Sequence, residues 1–125
     1  IGSVHISVPD SMTMAEVHPL TKGIAVHLYK KFDINMTVGV YAENKPSVEV
    51  LEIRKALDQV ISLYTHVVQV HAFYVQEEKK VIYYDIIFDF DEEDPHGTLE
   101  KIKAEMQKRC PEYTQFAIVD TDFSN

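Results

Sequence analysis

The 125-residue chain carries 46% hydrophobic and 26% charged side chains, enough to bury a core in one small domain or two very small fused ones. Its net charge of −8 argues against a nucleic-acid surface, which needs clustered Lys and Arg, and favours cations as partners. The single cysteine, Cys110, excludes an internal disulfide and any Cys-x-x-Cys site, and no run reaches the roughly 18 apolar residues of a membrane span.

Val4, Ile6 and Val8 alternate with Ser3, His5 and Ser7, the period of a half-buried strand, which Pro9-Asp10-Ser11 stops. Thr13 with Glu16 forms a capping-box pattern, and Val17, Leu20, Ile24 and Leu28 then share one helical face. Asp33-Ile34-Asn35 ends that helix, and residues 37–41 make the next strand. Residues 42–46 are the linker-like segment. Ser47 is the expected N-cap of a second helix whose buried stripe runs through Val50, Ile53, Leu57, Val60 or Ile61, and Tyr64.

Residues 67–75 and 81–90 are β-prone and flank a polar turn without glycine. An acidic run from Asp91 to Asp94 precedes Pro95, which suits the first position of a third helix with Leu99, Ile102 and Met106 on its inner face. Pro111 ends it, and residues 116–121 form the last strand. A strand–helix–strand pattern thus occurs twice, roughly eighty residues apart. The expected fold class is α+β: a ferredoxin-like two-layer sandwich with helices on one face of a mostly antiparallel sheet. A partial β-α-β unit over residues 1–45 precedes a fuller α-β-β-α-β unit over residues 46–125. The chain opens without Met, directly in strand-like sequence, and is read as a piece of a longer protein.

Chemistry is expected where metal-capable side chains meet. A hairpin centred near Glu78 places His71 opposite Asp85 on one face, close enough to share an ion or a hydrogen bond. Asp120 and Asp122, two apart on a strand, point to one side, and paired carboxylates either raise one pKa or recruit a cation. If the last strand lies beside the hairpin, these four residues form a mixed nitrogen and oxygen set that suits Zn²⁺, Mn²⁺ or Fe²⁺. His5 and His18 are a second candidate pair. His27 and His66 have no acidic neighbour in sequence and read as surface residues, and His96 beside Asp94 reads as part of a helix cap. The Asp91 to Asp94 run lacks the glycine and spacing of a calcium loop, so a solvated helix start is expected there. There is no nucleophile elbow, phosphate-cradling glycine loop or His-Glu-x-x-His, so an enzyme is not expected.

The opening Ile1-Gly-Ser-Val-His-Ile-Ser-Val-Pro-Asp10, with its helix ending Lys30-Lys31-Phe32 and its strand Thr37-Val-Gly-Val-Tyr41, resembles the cytoplasmic C-terminal domain of cation diffusion facilitator (cation efflux) transporters. Val70-His71-Ala72-Phe73 after a helix resembles that domain's first strand. The resemblance implies a domain that forms homodimers, binds Zn²⁺, Mn²⁺ or a similar ion, and regulates an attached transmembrane transporter. It also implies which positions ligate: His5 and His18 in the first copy, with Tyr41 and Glu43 where a His and an Asp are typical. In the second copy it implies His71, Asp85, Asp120 and Asp122, with His96 only approximately matched. The expected function is therefore the soluble cytoplasmic regulatory or dimerisation part of a metal efflux protein. The alternatives are a dimerisation module without metal and a stand-alone small-ligand-binding domain.

Overall fold

Two compact units divide the chain at Ile1–Lys45 and Pro46–Asn125, and the computed structural model describes residues 2–45 and 47–120. The first unit consists of β1 (Gly2–Pro9), α1 (Met14–Phe32) and β2 (Met36–Glu43). The alternation of Val4, Ile6 and Val8 sends one side of β1 inward, ending on buried Val8. Thr13 starts α1 as the sequence pattern anticipates: its hydroxyl accepts the Glu16 N–H at 3.2 Å, and the Glu16 carboxylate accepts the Thr13 N–H at 3.0 Å. The bond from the Thr13 N–H foremost, and a second from the Thr13 hydroxyl to Glu16 Oε1 at 3.0 Å, hold the Glu16 carboxyl below its ordinary pKa. Asp33 closes the helix in the left-handed region (φ 55°), its N–H donating to the Tyr29 carbonyl. Of the expected apolar stripe, Val17 is buried and Ile24 and Leu28 are half-buried, while Leu20 remains exposed.

The second unit consists of α2 (Val48–Ile61), β3 (Val67–Gln76), β4 (Val81–Phe88), α3 (Pro95–Arg109) and β5 (Thr114–Asp120), with strand order β3-β4-β5. Ser47 caps α2 by accepting the Val50 N–H, and Asp94 caps α3 by accepting the Gly97 N–H, with Pro95 just inside. Ile53, Leu57 and Val60 from α2 and Leu99, Ile102 and Met106 from α3 pack with Ile82, Tyr84 and Ile86 of β4 and Val75 of β3. These positions match the periodicity in sequence, and they put both helices on one face of the sheet in a two-layer α+β arrangement. Tyr84 lies wholly inside, its hydroxyl donating to Gln115 Oε1 at 2.5 Å, so burial raises its pKa and keeps it neutral. No described helix is long and apolar enough to cross a membrane.

The strand directions differ from the expected mostly antiparallel sheet. β1 and β2 pair in parallel, and so do β4 and β5; only the β3–β4 hairpin is antiparallel. The cause is that each helical crossover returns its chain directly beside the strand it left, with no strand inserted between, and such a crossover delivers the second strand in the same direction. β4 also stops earlier than the apolar run suggests. The His66 carbonyl accepts the Asp89 N–H at 2.9 Å and closes the ladder there, leaving Phe90 fully exposed.

The hairpin turn manages without glycine because Lys80 adopts a left-handed conformation (φ 56°) and its ammonium reaches Glu49 at 3.2 Å. A bulge interrupts the hairpin just after His71, where Ala72 also sits at φ 55°. Two residues, Ala72 and Phe73, there oppose the single Tyr84, which shifts the alternation so that Val75 as well as Val70 turns toward the core. A left-handed alanine is strained by about 1 kcal/mol through its Cβ. Ala72→Gly is therefore expected to raise stability by about that amount in urea denaturation; an unchanged or lower midpoint counts against strain at this bulge.

Candidate metal centre

Strand register decides which side chains meet. His71 and Asp85 are direct partners across the β3–β4 ladder, as the hairpin argument anticipates. Asp85 pairs with Ile118, and Ile87 pairs with Asp120, across the β4–β5 ladder. Registered neighbours and residues two apart share a face. His71, Asp85 and Asp120 therefore lie together on the side of the sheet away from the core helices, beside the stacked rings of Tyr83 and Phe116 (centroids 5.6 Å apart).

Electrostatics ties the three together. Partial burial, the negative charge of Asp120 and, opposing them, the neighbouring His71 act on Asp85, and the net effect raises its pKa above the ordinary aspartate value. Neither carboxylate has a Lys or Arg partner among the described residues. The imidazole and two carboxylates are chemically a donor set for a borderline divalent ion, and mutual repulsion between the carboxylates favours a cation there. Their donor atoms are not drawn within 4.8 Å of one another as a set, so ligation requires side-chain rotation. Asp122 lies outside the described residues.

The first-unit candidates are placed differently. His5 is exposed on β1 opposite Gly39, its ring so close to that residue that a Cβ there would clash with His5 Cδ2. The ring stacks on Tyr41 at 5.2 Å between centroids. Glu43 pairs with Pro9 at the strand end. His18 is exposed in the second turn of α1 and borders a shallow cavity of about 190 Å³ with Thr21, Lys22, Ala25 and Val38. Among the described residues this unit holds no converging group of three donors. His96 is exposed in the first turn of α3 and joins no such group either.

One group does converge: His66, Asp89 and Asp91, whose donor atoms all lie within 4.8 Å of one another. The expectation that His66 stands apart from any acid is corrected. Its Nδ1 lies 3.1 and 3.2 Å from the two Asp89 carboxylate oxygens. That hydrogen bond, with the charges of Asp89, Asp91 and Glu92, raises the His66 pKa above the ordinary value against a smaller desolvation effect. The missed signal was the register. Extending the His71–Asp85 pairing outward sets His66 against Phe90, but an irregularity between Val67 and Gln69 moves the frame by one residue and brings Asp89 opposite instead.

Comparison with protein-family models, curated proteins and solved structures finds no match to the chain.

Proposed function

We propose that this chain is the cytoplasmic regulatory and dimerisation part of a divalent-cation efflux transporter of the cation diffusion facilitator type, built from two small α+β units of which the first is partial. It performs no catalysis. The observation that carries this reading is the register of the second unit: His71 faces Asp85 across the hairpin, and Asp120 stands near enough to raise the proton affinity of Asp85. The helix–hairpin–helix–strand order and the resemblance of the segments around His5 and His71 support it. So do the exposed Phe116 and Ile118 on the same face, which suit burial against a second copy.

The mechanism follows from linkage. An ion held by His71, Asp85 and Asp120, with Asp122 as a further donor, cancels the repulsion between carboxylates and favours whichever dimer arrangement brings the donors together. Only that difference in affinity between arrangements can bias the attached transporter. Zn²⁺ or Mn²⁺ fits the nitrogen and oxygen donors.

Calorimetric titration with Zn²⁺ and Mn²⁺ tests the reading, with Asp85→Ala/Asp120→Ala expected to weaken binding by at least about tenfold. Absence of binding, or indifference to the double substitution, defeats it. Sedimentation with and without chelator separates the metal-responsive dimer from a purely structural one, whose size does not respond to metal. Transmembrane segments upstream in the parent reading frame are expected, and their absence removes the transporter assignment.

A further inference from the structure

We propose a second cation site, separate from the helix-free face, in which His66, Asp89 and Asp91 ligate one divalent transition ion of the zinc or manganese class at the mouth of the β3–β4 hairpin. The donors come from two segments that the fold fixes together. His66 immediately precedes β3, Asp89 immediately follows β4, and the backbone bond from the Asp89 N–H to the His66 carbonyl pins the two. Asp91 is held on the same side because its own N–H donates to Asp89 Oδ1 at 2.9 Å.

The geometry needs only a small adjustment of side chains. Ligands about 2.1 Å from a tetrahedral ion stand about 3.4 Å apart. The imidazole nitrogen and the Asp89 oxygens are already at 3.1 to 3.2 Å, and Asp91, exposed at the surface, can close the remainder by rotation. The surroundings favour a cation: Asp89, Asp91, Glu92, Glu93 and Asp94 follow one another closely, and none has a Lys or Arg partner among the described residues. An imidazole among carboxylates selects against Ca²⁺, which takes six to eight oxygens, and for ions that accept mixed nitrogen and oxygen donors. Three protein ligands leave a position for water. The bound ion ties the start of β3, the end of β4 and the loop before α3 into one clip.

The test is titration of the 125-residue chain with Zn²⁺, Mn²⁺ and Ca²⁺, followed by calorimetry and by the NMR resonances of the His66 ring. One equivalent of Zn²⁺ or Mn²⁺ is expected to shift the His66 ring. His66→Gln and Asp91→Asn are each expected to weaken that equivalent at least about tenfold, and Asp85→Asn to leave it in place. Asp91→Asn retains the backbone N–H that orients Asp89, so it removes a ligand without opening the turn. The proposal is overturned if His66→Gln leaves affinity unchanged. It is also overturned if Ca²⁺ binds as tightly as Zn²⁺, which would mark a diffuse acidic loop, or if the His66 ring shift disappears only in Asp85→Asn.

Discussion

Asp85→Asn is expected to stabilise the metal-free chain and at the same time weaken its hold on a divalent ion. Partial burial and the nearby charge of Asp120 disfavour the charged form of Asp85, with His71 compensating in part. Because its pKa is raised on folding, the folded chain binds the Asp85 proton more tightly than the unfolded chain does. The associated stability is fully present below the ordinary aspartate pKa and is lost as pH rises through the raised one. Other carboxylates, among them Glu16 and Glu49, have lowered pKa values and impose the opposite trend. The informative quantity is therefore the difference between wild type and variant. In chelator, Asp85→Asn should gain on wild type as pH climbs across that window and reach a plateau of about 0.5 to 1 kcal/mol, the usual size of like-charge relief between neighbouring strands. With Zn²⁺ or Mn²⁺ present the order should reverse, because the neutral amide is a poor ligand. A variant no more stable than wild type in chelator at pH 7 would show that Asp85 carries no repulsion.

Those opposite signs are what separate a binding position from a solvated acid. A surface aspartate replaced by asparagine changes little in either condition. A residue retained for ligation lowers the stability of the empty fold, and the ion recovers it.

Much of the fold was legible in the sequence. Thr13 with Glu16, Ser47, and Asp94 followed by Pro95 mark helix starts by local chemistry alone, and all three caps are present. The stripes of α2 and α3 were equally readable, because a period of 3.6 survives any tertiary arrangement that buries one face, although α2 ends at Ile61 and Tyr64 falls beyond it. The pairing of His71 with Asp85 followed from symmetry about the turn. What escaped were features set by single-residue irregularities and by long-range pairing. Nothing local in Val67-Val68-Gln69 announces the slip that brings Asp89 to His66, nor does Ala72 advertise a left-handed conformation. Strand direction escaped for a related reason: the pattern of β4, α3 and β5 is the same whether or not another strand separates β4 from β5.

The two units also differ in how much apolar surface they bury. In the first, Val8 of the two-stranded parallel sheet and Val17 of α1 are the buried apolar residues among those described. The second draws its core from both helices and from β3 and β4, and it carries both candidate cation sites. Two strands make a weak scaffold, whereas a three-stranded sheet backed by two helices can hold donor side chains in fixed register.

Leu57→Ala is expected to have the largest effect on stability. Leu57 is fully buried at the middle of α2, within the cluster formed with Ile53, Val60, Ile82, Ile102 and Met106. Truncation removes the transfer free energy of its side chain and leaves a cavity that the surrounding helices and sheet close only in part, about 3 kcal/mol together. For a unit this small, with a total stability of order 5 to 10 kcal/mol, that is a large fraction. Leu51 lies on the same helix with 60% of its surface exposed, so Leu51→Ala should change stability by less than about 0.5 kcal/mol. Urea denaturation of the two variants measures the contrast, and equal midpoints would mean that α2 presents a different face to the sheet. The same variant links packing to ligand. An ion at 100 times its dissociation constant adds about 2.7 kcal/mol to a fold that alone binds it. Saturating Zn²⁺ or Mn²⁺ should therefore restore most of what Leu57→Ala loses, and the rescue should shrink when Asp85→Ala and Asp120→Ala are added.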